Sequence, residues 1–484
     1  MAGKIDLIMG LQYGDEGKGK IVSTLTHNNP FGYKYGIVAK YNGGSNAGHS
    51  VNRNGKEYAF HLIPSGILEE GVVSVIGNGV VLSPEEFVKE RDDLIRGGLD
   101  INPRNLVVSE DATITMPHHQ MMDLLEDLVM CRGTTGKGIG PTYRDKVSRD
   151  ALKVKNLYNK DSLKKYFELH KGTIENQLLY YANVSLDSEK EQKRSEILKK
   201  DIFRKYVSLS KDPSNIYLDC DQMIDDLIKS SESMKPHIKN TAEYLYLRLE
   251  KGVNMLAEGS QAAGLDIEGG SYPYTTSSNC GVSGLISGLR INPNLLNHKI
   301  GVVKLVPSRV GEGPFPTALG QYSEIRPETR LTTDKAELQS QLKILREKIN
   351  QGKATDKEIG KYFRNLPPGE FGTTTGRPRA TGWLDLRMVK RSAWENGIDM
   401  LALTKIDSYV GLKEFKVCLG YKDNTENPEP IYQTLKGFKP IHGAKKFDSL
   451  PQEAKDLVGL VEKIVRKPAK FISTGPKDEH ILVK

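Results

Sequence analysis

An apolar run that ends at a glycine-rich loop constrains this chain more than any other feature. Within Lys4 to Gly10, Ile5, Leu7, Ile8 and Met9 read as a buried strand. Gly14-Asp-Glu-Gly-Lys-Gly-Lys20 follows as a loop, and a helical pattern runs from Ile21 onwards. Strand, glycine loop and helix form a layout in which backbone amides cradle a phosphate and a lysine neutralises it. The spacing Gly14-x4-Gly19-Lys20 fits, but Ile21 stands where a magnesium-holding hydroxyl usually follows the lysine. Asp15, inside the loop, is then the natural metal ligand. A carboxylate beside phosphates makes sense only if a metal or a proton transfer uses it.

Further short strands are predicted at Val73 to Gly77, Leu106 to Ser109, Gly301 to Val306 and Asp399 to Leu403. They alternate with helical stretches such as Pro84 to Ile95, so the fold class is α/β with a large, mostly parallel central sheet. Two regions differ in pattern. Residues 155–250 are lysine-rich and helical, and residues 320–366 place Leu338, Leu342, Leu345 and Ile349 at helical spacing. Both read as helical insertions on one catalytic unit spanning residues 1–484, with the leucine stripe as packing.

The whole-chain properties exclude several classes. No run of eighteen apolar residues occurs, so no membrane span is expected. The first residues lead straight into a strand with no signal-like apolar segment, which points to the cytoplasm. Cys131, Cys220, Cys280 and Cys418 form no CxxC pair, so neither a zinc site nor a disulfide framework is expected. A net charge of +8 is modest over 484 residues, and no arginine stripe with interleaved aromatics suggests nucleic acid.

Met400 to Thr404 forms an apolar strand ending in Thr404-Lys405-Ile406-Asp407. An aspartate held at a strand end can accept hydrogen bonds from guanine N1–H and its 2-amino group, a pair adenine lacks. The lysine stem can lie along the base plane. Glycines cluster at 14–19, 43–48, 133–140, 259–270, 372–382 and 473–475, where backbone can approach a ligand closely.

Seven motifs together resemble the adenylosuccinate synthetase family. They are Gly14-Asp-Glu-Gly-Lys-Gly-Lys20, Asn46-Ala-Gly-His49, Gly133-Thr-Thr-Gly-Lys-Gly-Ile-Gly-Pro141, Arg309-Val-Gly-Glu-Gly-Pro-Phe-Pro-Thr317, Thr373-Thr-Thr-Gly-Arg377, Thr381-Gly-Trp-Leu-Asp385 and Ser473-Thr-Gly-Pro476. They occur in the family's order across nearly the whole chain. The resemblance implies a homodimer that uses IMP, L-aspartate and GTP with Mg2+, and gives adenylosuccinate, GDP and phosphate.

The resemblance also implies roles for individual residues. Asp15 would be the base that takes the purine N1 proton and a metal ligand, joined by the Gly48 carbonyl. His49 would be the general acid, Lys18 would stabilise the transferring phosphoryl group, and Gln261 would face the O6/N1 edge. IMP would be held by Asp15, Asn46, Ala47, His49, Thr135, Gln261 and Thr276, with Arg377 at the ribose. Arg149 would reach across the dimer to the partner's IMP phosphate. GTP would be held by Gly14, Glu16, Gly17, Gly19, Lys20, Gly48, Ser50, Arg379, Lys405, Ile406, Asp407, Ser473, Thr474 and Gly475. Aspartate would lie against Thr373, Thr374, Thr375, Gly376, Arg377 and Arg379, whose arginines clamp carboxylates.

The chain departs from the family pattern at Tyr13, Ser23, Ser45, Ala262-Ala263-Gly264, Ala318, Pro378 and Ala380. None of these is a proposed base, acid, metal ligand or guanine reader, but several adjoin the nucleotide pocket. Two rival readings follow. One is the same chemistry on another purine nucleotide such as dGMP, giving a 2-amino-adenylosuccinate-type product, against which the retained Asp15 argues. The other is a GTP-binding protein without catalysis, which would be expected to lose Asp15, His49 or the 373–379 loop.

Overall fold

The computed structural model describes every residue except 1, 54, 210–214, 373–375, 424, 426–427, 442–443, 445 and 478–479. Ten strands form its central sheet: β1 (Ile5–Gly10), β2 (Tyr35–Lys40), β3 (Val73–Ile76), β4 (Leu106–Ser109), β5 (Ile238–Lys239), β6 (Asn254–Ala262), β7 (Leu296–Lys304), β8 (Met400–Thr404), β9 (Ala469–Ser473) and β10 (Ile481–Val483). Their spatial order is 5-4-3-2-6-1-7-8-9-10. Every neighbouring pair is parallel except the last, where β10 returns antiparallel to β9. The expected mostly parallel α/β sheet is what the chain forms.

All six residues of β1 are buried, which is why the strand reads as a continuous apolar run. The period of two still sorts its side chains. Ile5, Leu7 and Met9 join one core with Ile37, Ala39, Met255 and Ala257, while Ile8 joins another with Val38, Leu256 and Val302. The second core is closed by Ile21, Val22 and Leu25 of the helix Lys18–His27.

The two predicted insertions differ from expectation in one respect. Segment 155–250 is not wholly a helical outwork: Ile238–Lys239 pairs with β4 and becomes the edge of the main sheet. Its helices also share a core with residues of helices 84–96 and 117–130, through Leu163, Phe167, Leu178 and Met223. A strand of only two residues carries too little pattern to be seen in sequence. In segment 320–366 the leucine stripe is packing, with Leu342 buried and Leu338, Leu345 and Ile349 set against the main core. No helix among the described residues is long and apolar enough to cross a membrane.

The chain builds one half of the sheet outward from β2 to β5, returns through β6, and continues on the other side of β1 as β7 to β10. In such sheets ligands bind at the carboxyl ends of strands where the order reverses. The loops that start at Gly10, Lys40, Ala262, Lys304, Thr404 and Ser473 all leave carboxyl ends.

Candidate active site

The loop after β1 is built by its own residues. Gly14, Asp15 and Gly17 have φ of 89°, 57° and 87°, so the chain curls tightly before the helix. Buried Glu16 fixes that curl: its Oε1 accepts the Gly14 N–H at 2.8 Å and the Gln12 N–H at 3.3 Å, and its Oε2 meets Lys18 Nζ at 2.8 Å. The side chain of Glu16 therefore faces the loop backbone, so only its backbone is left to meet a nucleotide. The helix also starts at Lys18 rather than Ile21, because left-handed Gly17 caps it there. No side chain caps this end, so the amides of its first turn face outward, ready for an anion.

His49 follows the loop after β2 and opens a hairpin, His49–Arg53 paired with Lys56–Phe60. Its ring lies against the start of the helix, where a Cβ on Gly19 would sit 2.4 Å from His49 Cδ2. Nε2 of His49 pairs with Glu258 Oε1 at 3.1 Å, and Glu258 Oε2 accepts the Ser65 N–H at 2.9 Å and its hydroxyl at 2.8 Å. Burial pushes the Glu258 carboxyl up, but the hydrogen bond from His49 and the charges of His49 and Lys40 outweigh it and hold Glu258 below the usual range. An ionised glutamate is thus anchored to orient the imidazole.

These loops enclose a cavity of about 370 Å³. Gly14, Asp15, Gly17, Lys18, Gly19, Asn46, Ala47, Gly48, His49, Thr135, Gln261 and Thr276 line it, twelve residues that the sequence reading expected to meet. A larger cavity of about 690 Å³ lies among the 49–60 hairpin, helix 84–96 and segment 201–230. It holds none of those twelve, and two of its four lysines are ion-paired within the protein, Lys137 with Glu86 and Lys205 with Asp226. The smaller cavity is therefore the candidate site.

A charge cluster stands behind Asp15. Arg379 Nε lies 3.0 Å from Asp15 Oδ2, and Arg379 also reaches buried Glu370 at 3.2 Å. Glu370 meets Lys304 at 3.1 Å and Lys405 at 3.7 Å. Burial alone would raise the Glu370 carboxyl, yet Lys304, Lys405 and Arg379 draw it down to about 2. Lys405 is itself held below the ordinary lysine value, since burial outweighs the pull of Glu370. Thr404 Oγ1 donates to the Glu16 carbonyl at 2.7 Å, which ties the end of β8 to the phosphate-type loop.

The family profile described as adenylosuccinate synthetase matches residues 7–482. The chain belongs to the adenylosuccinate synthetase family. It is 36% identical to the adenylosuccinate synthetase of Halothermothrix orenii, over 97% of this chain and 96% of that protein. Among solved structures, fully ligated adenylosuccinate synthetase from Plasmodium falciparum is similar at 30% identity and a TM-score of 0.75, with both chains wholly covered. The succinoaminodeoxyadenylate synthetase of cyanophage S-2L, solved with dGMP and dATP, shares the fold at 15% identity and a TM-score of 0.56, over 100% of this chain and 96% of that one. As an adenylosuccinate synthetase family member, this chain is a nucleotide-dependent ligase of purine biosynthesis.

Not every family-implied residue reaches the cavity. Lys20 Nζ donates to Ser473 Oγ at 2.8 Å and to the Gly475 carbonyl at 2.6 Å, so it ties the helix to the loop after β9. Thr474 is buried there beside Ser473. Ile406 is fully buried in the core, so only its backbone can face a ligand, while Asp407 is half-buried at the same turn. Ser50 lies exposed on the hairpin, and Gly376 and Arg377 are exposed. Arg149 is exposed at the end of helix Ile139–Ser148, outside the cavity lining. Thr373, Thr374 and Thr375 lie outside the described residues. Sequence reasoning missed Glu258, Lys40, Glu370 and Lys304. For Glu258, Lys40 and Lys304 the signal was a charge within or at the end of an apolar strand, as in Leu256-Ala-Glu258 and Val302-Val-Lys304, while Glu370 lies in a bend outside any strand and had no such signal.

Proposed function

We propose that this ligase joins L-aspartate to C6 of IMP at the expense of GTP, giving adenylosuccinate, GDP and phosphate. The observation that carries the reading is the meeting of an acid-bearing phosphate-type loop, a carboxylate-oriented histidine and Gln261 around one cavity.

Asp15 removes the proton from N1 of IMP, and the electron pair moves to O6. O6 then attacks the γ-phosphorus of GTP, forming 6-phosphoryl-IMP, and the bond to the β–γ bridging oxygen breaks. His49, held by Glu258, donates its hydrogen bond to that oxygen as GDP leaves, and Lys18 offsets charge on the moving phosphoryl group. The aspartate amine then attacks C6 and phosphate departs. Arg377, Arg379 and the 373–376 segment receive the aspartate carboxylates. Thr135, Asn46 and Thr276 hold the nucleotide, and Lys405, Asp407 and Ser473 to Gly475 enclose guanine. Asp15 and Gly48 both line the cavity, and the carboxylate of one with the carbonyl of the other would make an all-oxygen set suited to Mg2+. Asp15 and Gly48 would hold the ion, which when bound would offset the negative charge of the transferring phosphates. The active form is a homodimer, and exposed Arg149 of each protomer reaches the IMP phosphate of the other.

The test is GDP release from purified protein with GTP and magnesium, with IMP and aspartate added singly and together. Release that needs both, with adenylosuccinate as product, is the expected result. Turnover with dGMP but not IMP would rename the acceptor. No GTP consumption under any combination would leave nucleotide binding alone.

A further inference from the structure

Five side-chain atoms on residues of the cavity wall are closed to water and have no hydrogen-bond partner among the described residues: His49 Nε2, which is ion-paired with Glu258, Thr134 Oγ1, Ser260 Oγ, Gln261 Oε1 and Thr276 Oγ1. The acceptor reading above uses His49, Gln261 and Thr276, and Thr134 lies against the Asp123 carboxyl. Ser260 is left without a role. We propose that the Ser260 hydroxyl is a specificity-determining contact to the purine base of the acceptor nucleotide, beside Gln261; this rests on the acceptor reading above.

Adjacent residues of a regular strand point to opposite faces. Here the pairing of β1 with β6 slips between Ile8↔Glu258 and Gly10↔Ala262, and Gln261 takes a left-handed φ of 55°. Such a bulge re-aims side chains. Ser260 and Gln261 consequently both flank Gly43. A Cβ there would lie 2.8 Å from Gln261 Oε1, 2.9 Å from Ser260 Cβ and 3.2 Å from Ser260 Oγ. Gly43, at φ 76°, keeps that space open.

Ser260 is also held still. Asn42 Oδ1 accepts its N–H at 2.9 Å, and Asn42 Nδ2 donates to its carbonyl at 3.2 Å. The neighbouring hydroxyls are committed: Ser278 Oγ accepts from Asn42 Nδ2 at 3.1 Å, and Tyr143 Oη donates to the Gly79 carbonyl at 2.7 Å. A buried hydroxyl without a partner destabilises the free protein, whereas alanine would leave nothing unsatisfied. The hydroxyl and the Gln261 amide offer neutral donors and acceptors side by side, the set that reads a heteroaromatic edge. Phosphates are better served by the helix start and Lys18.

The experiment compares the full-length wild type with Ser260→Ala, measuring IMP and GTP binding by calorimetry, steady-state kinetics and the melting temperature. The expected result is a roughly five- to tenfold rise in Kd and KM for IMP, the worth of one neutral hydrogen bond. The GTP and aspartate constants stay unchanged, and the melting temperature does not fall. The selectivity for IMP over GMP should change as well. Unchanged IMP affinity would overturn the proposal. So would a lower melting temperature with IMP and GTP weakened alike, which marks a structural hydroxyl. If the wild type binds dGMP and not IMP, the acceptor reading fails, and the same comparison made with dGMP decides the role of Ser260.

Discussion

Three residues at the carboxyl ends of strands hold left-handed conformations that side chains seldom adopt: Asp15, Gln261 and Lys405, with φ of 57°, 55° and 59°. Backbone strain of this kind costs roughly 1–3 kcal/mol per residue and concentrates at working sites. For Asp15 the strain presents a carboxylate to the cavity where a glycine would have been easier. If that carboxylate is the base, Asp15→Asn lowers turnover by about 10²–10⁴-fold while nucleotide binding survives. Parallel measurements of GDP release and GTP affinity check this, and retained turnover would remove the base assignment. Glu258 acts through His49. Glu258→Gln is expected to lower kcat roughly 10- to 100-fold, less than loss of the acid itself, with the KM for IMP nearly constant. A rise in KM without a fall in kcat would mean that the pair only shapes the pocket. Asp407→Asn removes the acceptor expected to face guanine, so the preference for GTP over ATP should collapse by about two orders of magnitude or more. A preserved preference, measured as the ratio of kcat/KM values, would place the guanine reader elsewhere.

At the scale of elements, Glu370 fastens the segment leading to the 373–379 loop onto the ends of β7 and β8, through Lys304, Arg379 and Lys405. Its folded-state pKa of about 2 lies below its ordinary value of 4.5. For a depressed carboxylate the stabilisation is present above the ordinary value and is lost as pH falls through the folded one. The affected window is therefore between about 4.5 and about 2. Glu370→Gln leaves buried cations unpaired and should cost about 3–5 kcal/mol near neutral pH. Denaturant unfolding at pH 7 and near pH 3 tests the linkage, since the gap between variant and wild type should narrow on acidification. An equal gap at both values would mean that Glu370 is not ionised in the fold. This fastening was not legible in the sequence, because Lys304 and Glu370 are 66 residues apart. Half of the sheet was legible: β4 was placed residue for residue, and β3 and β8 to within a residue at either end, because buried parallel strands are short apolar runs. By contrast, β7 begins at Leu296, ahead of the expected Gly301, and β2, β5, β6, β9 and β10 were not read. The helix start at Lys18 was misplaced by one turn, since a glycine cap looks like loop until its φ is known.

Over the whole molecule, the order of strands explains why motifs scattered from residue 14 to residue 475 meet at one edge of the sheet. Four of the six glycine clusters, 14–19, 43–48, 259–270 and 473–475, lie at or after the carboxyl ends of strands, whereas 133–140 and 372–382 follow helices, so the sequence marked much of the cavity wall but not the reason its parts meet. Arg149 was not placed by the same logic. It ends a helix, exposed and outside the cavity lining, and its Nε donates to the neighbouring Ser148 carbonyl at 3.4 Å. An exposed arginine held in a left-handed turn, with φ 72°, projects from its own protomer, and under the proposed two-fold dimer the contact it makes would be repeated at both sites. The proposal has a sharp consequence. Arg149→Leu alone should raise the KM for IMP, since a charged fork onto phosphate is lost. Asp15→Asn alone should be inactive. In a mixed dimer of the two variants, one site combines an intact Asp15 with an intact Arg149 from the other protomer, and the second site lacks both. Random exchange makes half the dimers mixed, each with one of its two sites restored, so about a quarter of wild-type activity should return at low IMP. Unfolding is not needed for this test, only subunit exchange followed by assay. Mixtures whose activity stays at the sum of the separate variants, although exchange is shown by differently tagged subunits, would confine Arg149 to its own protomer and leave each active site complete within one chain.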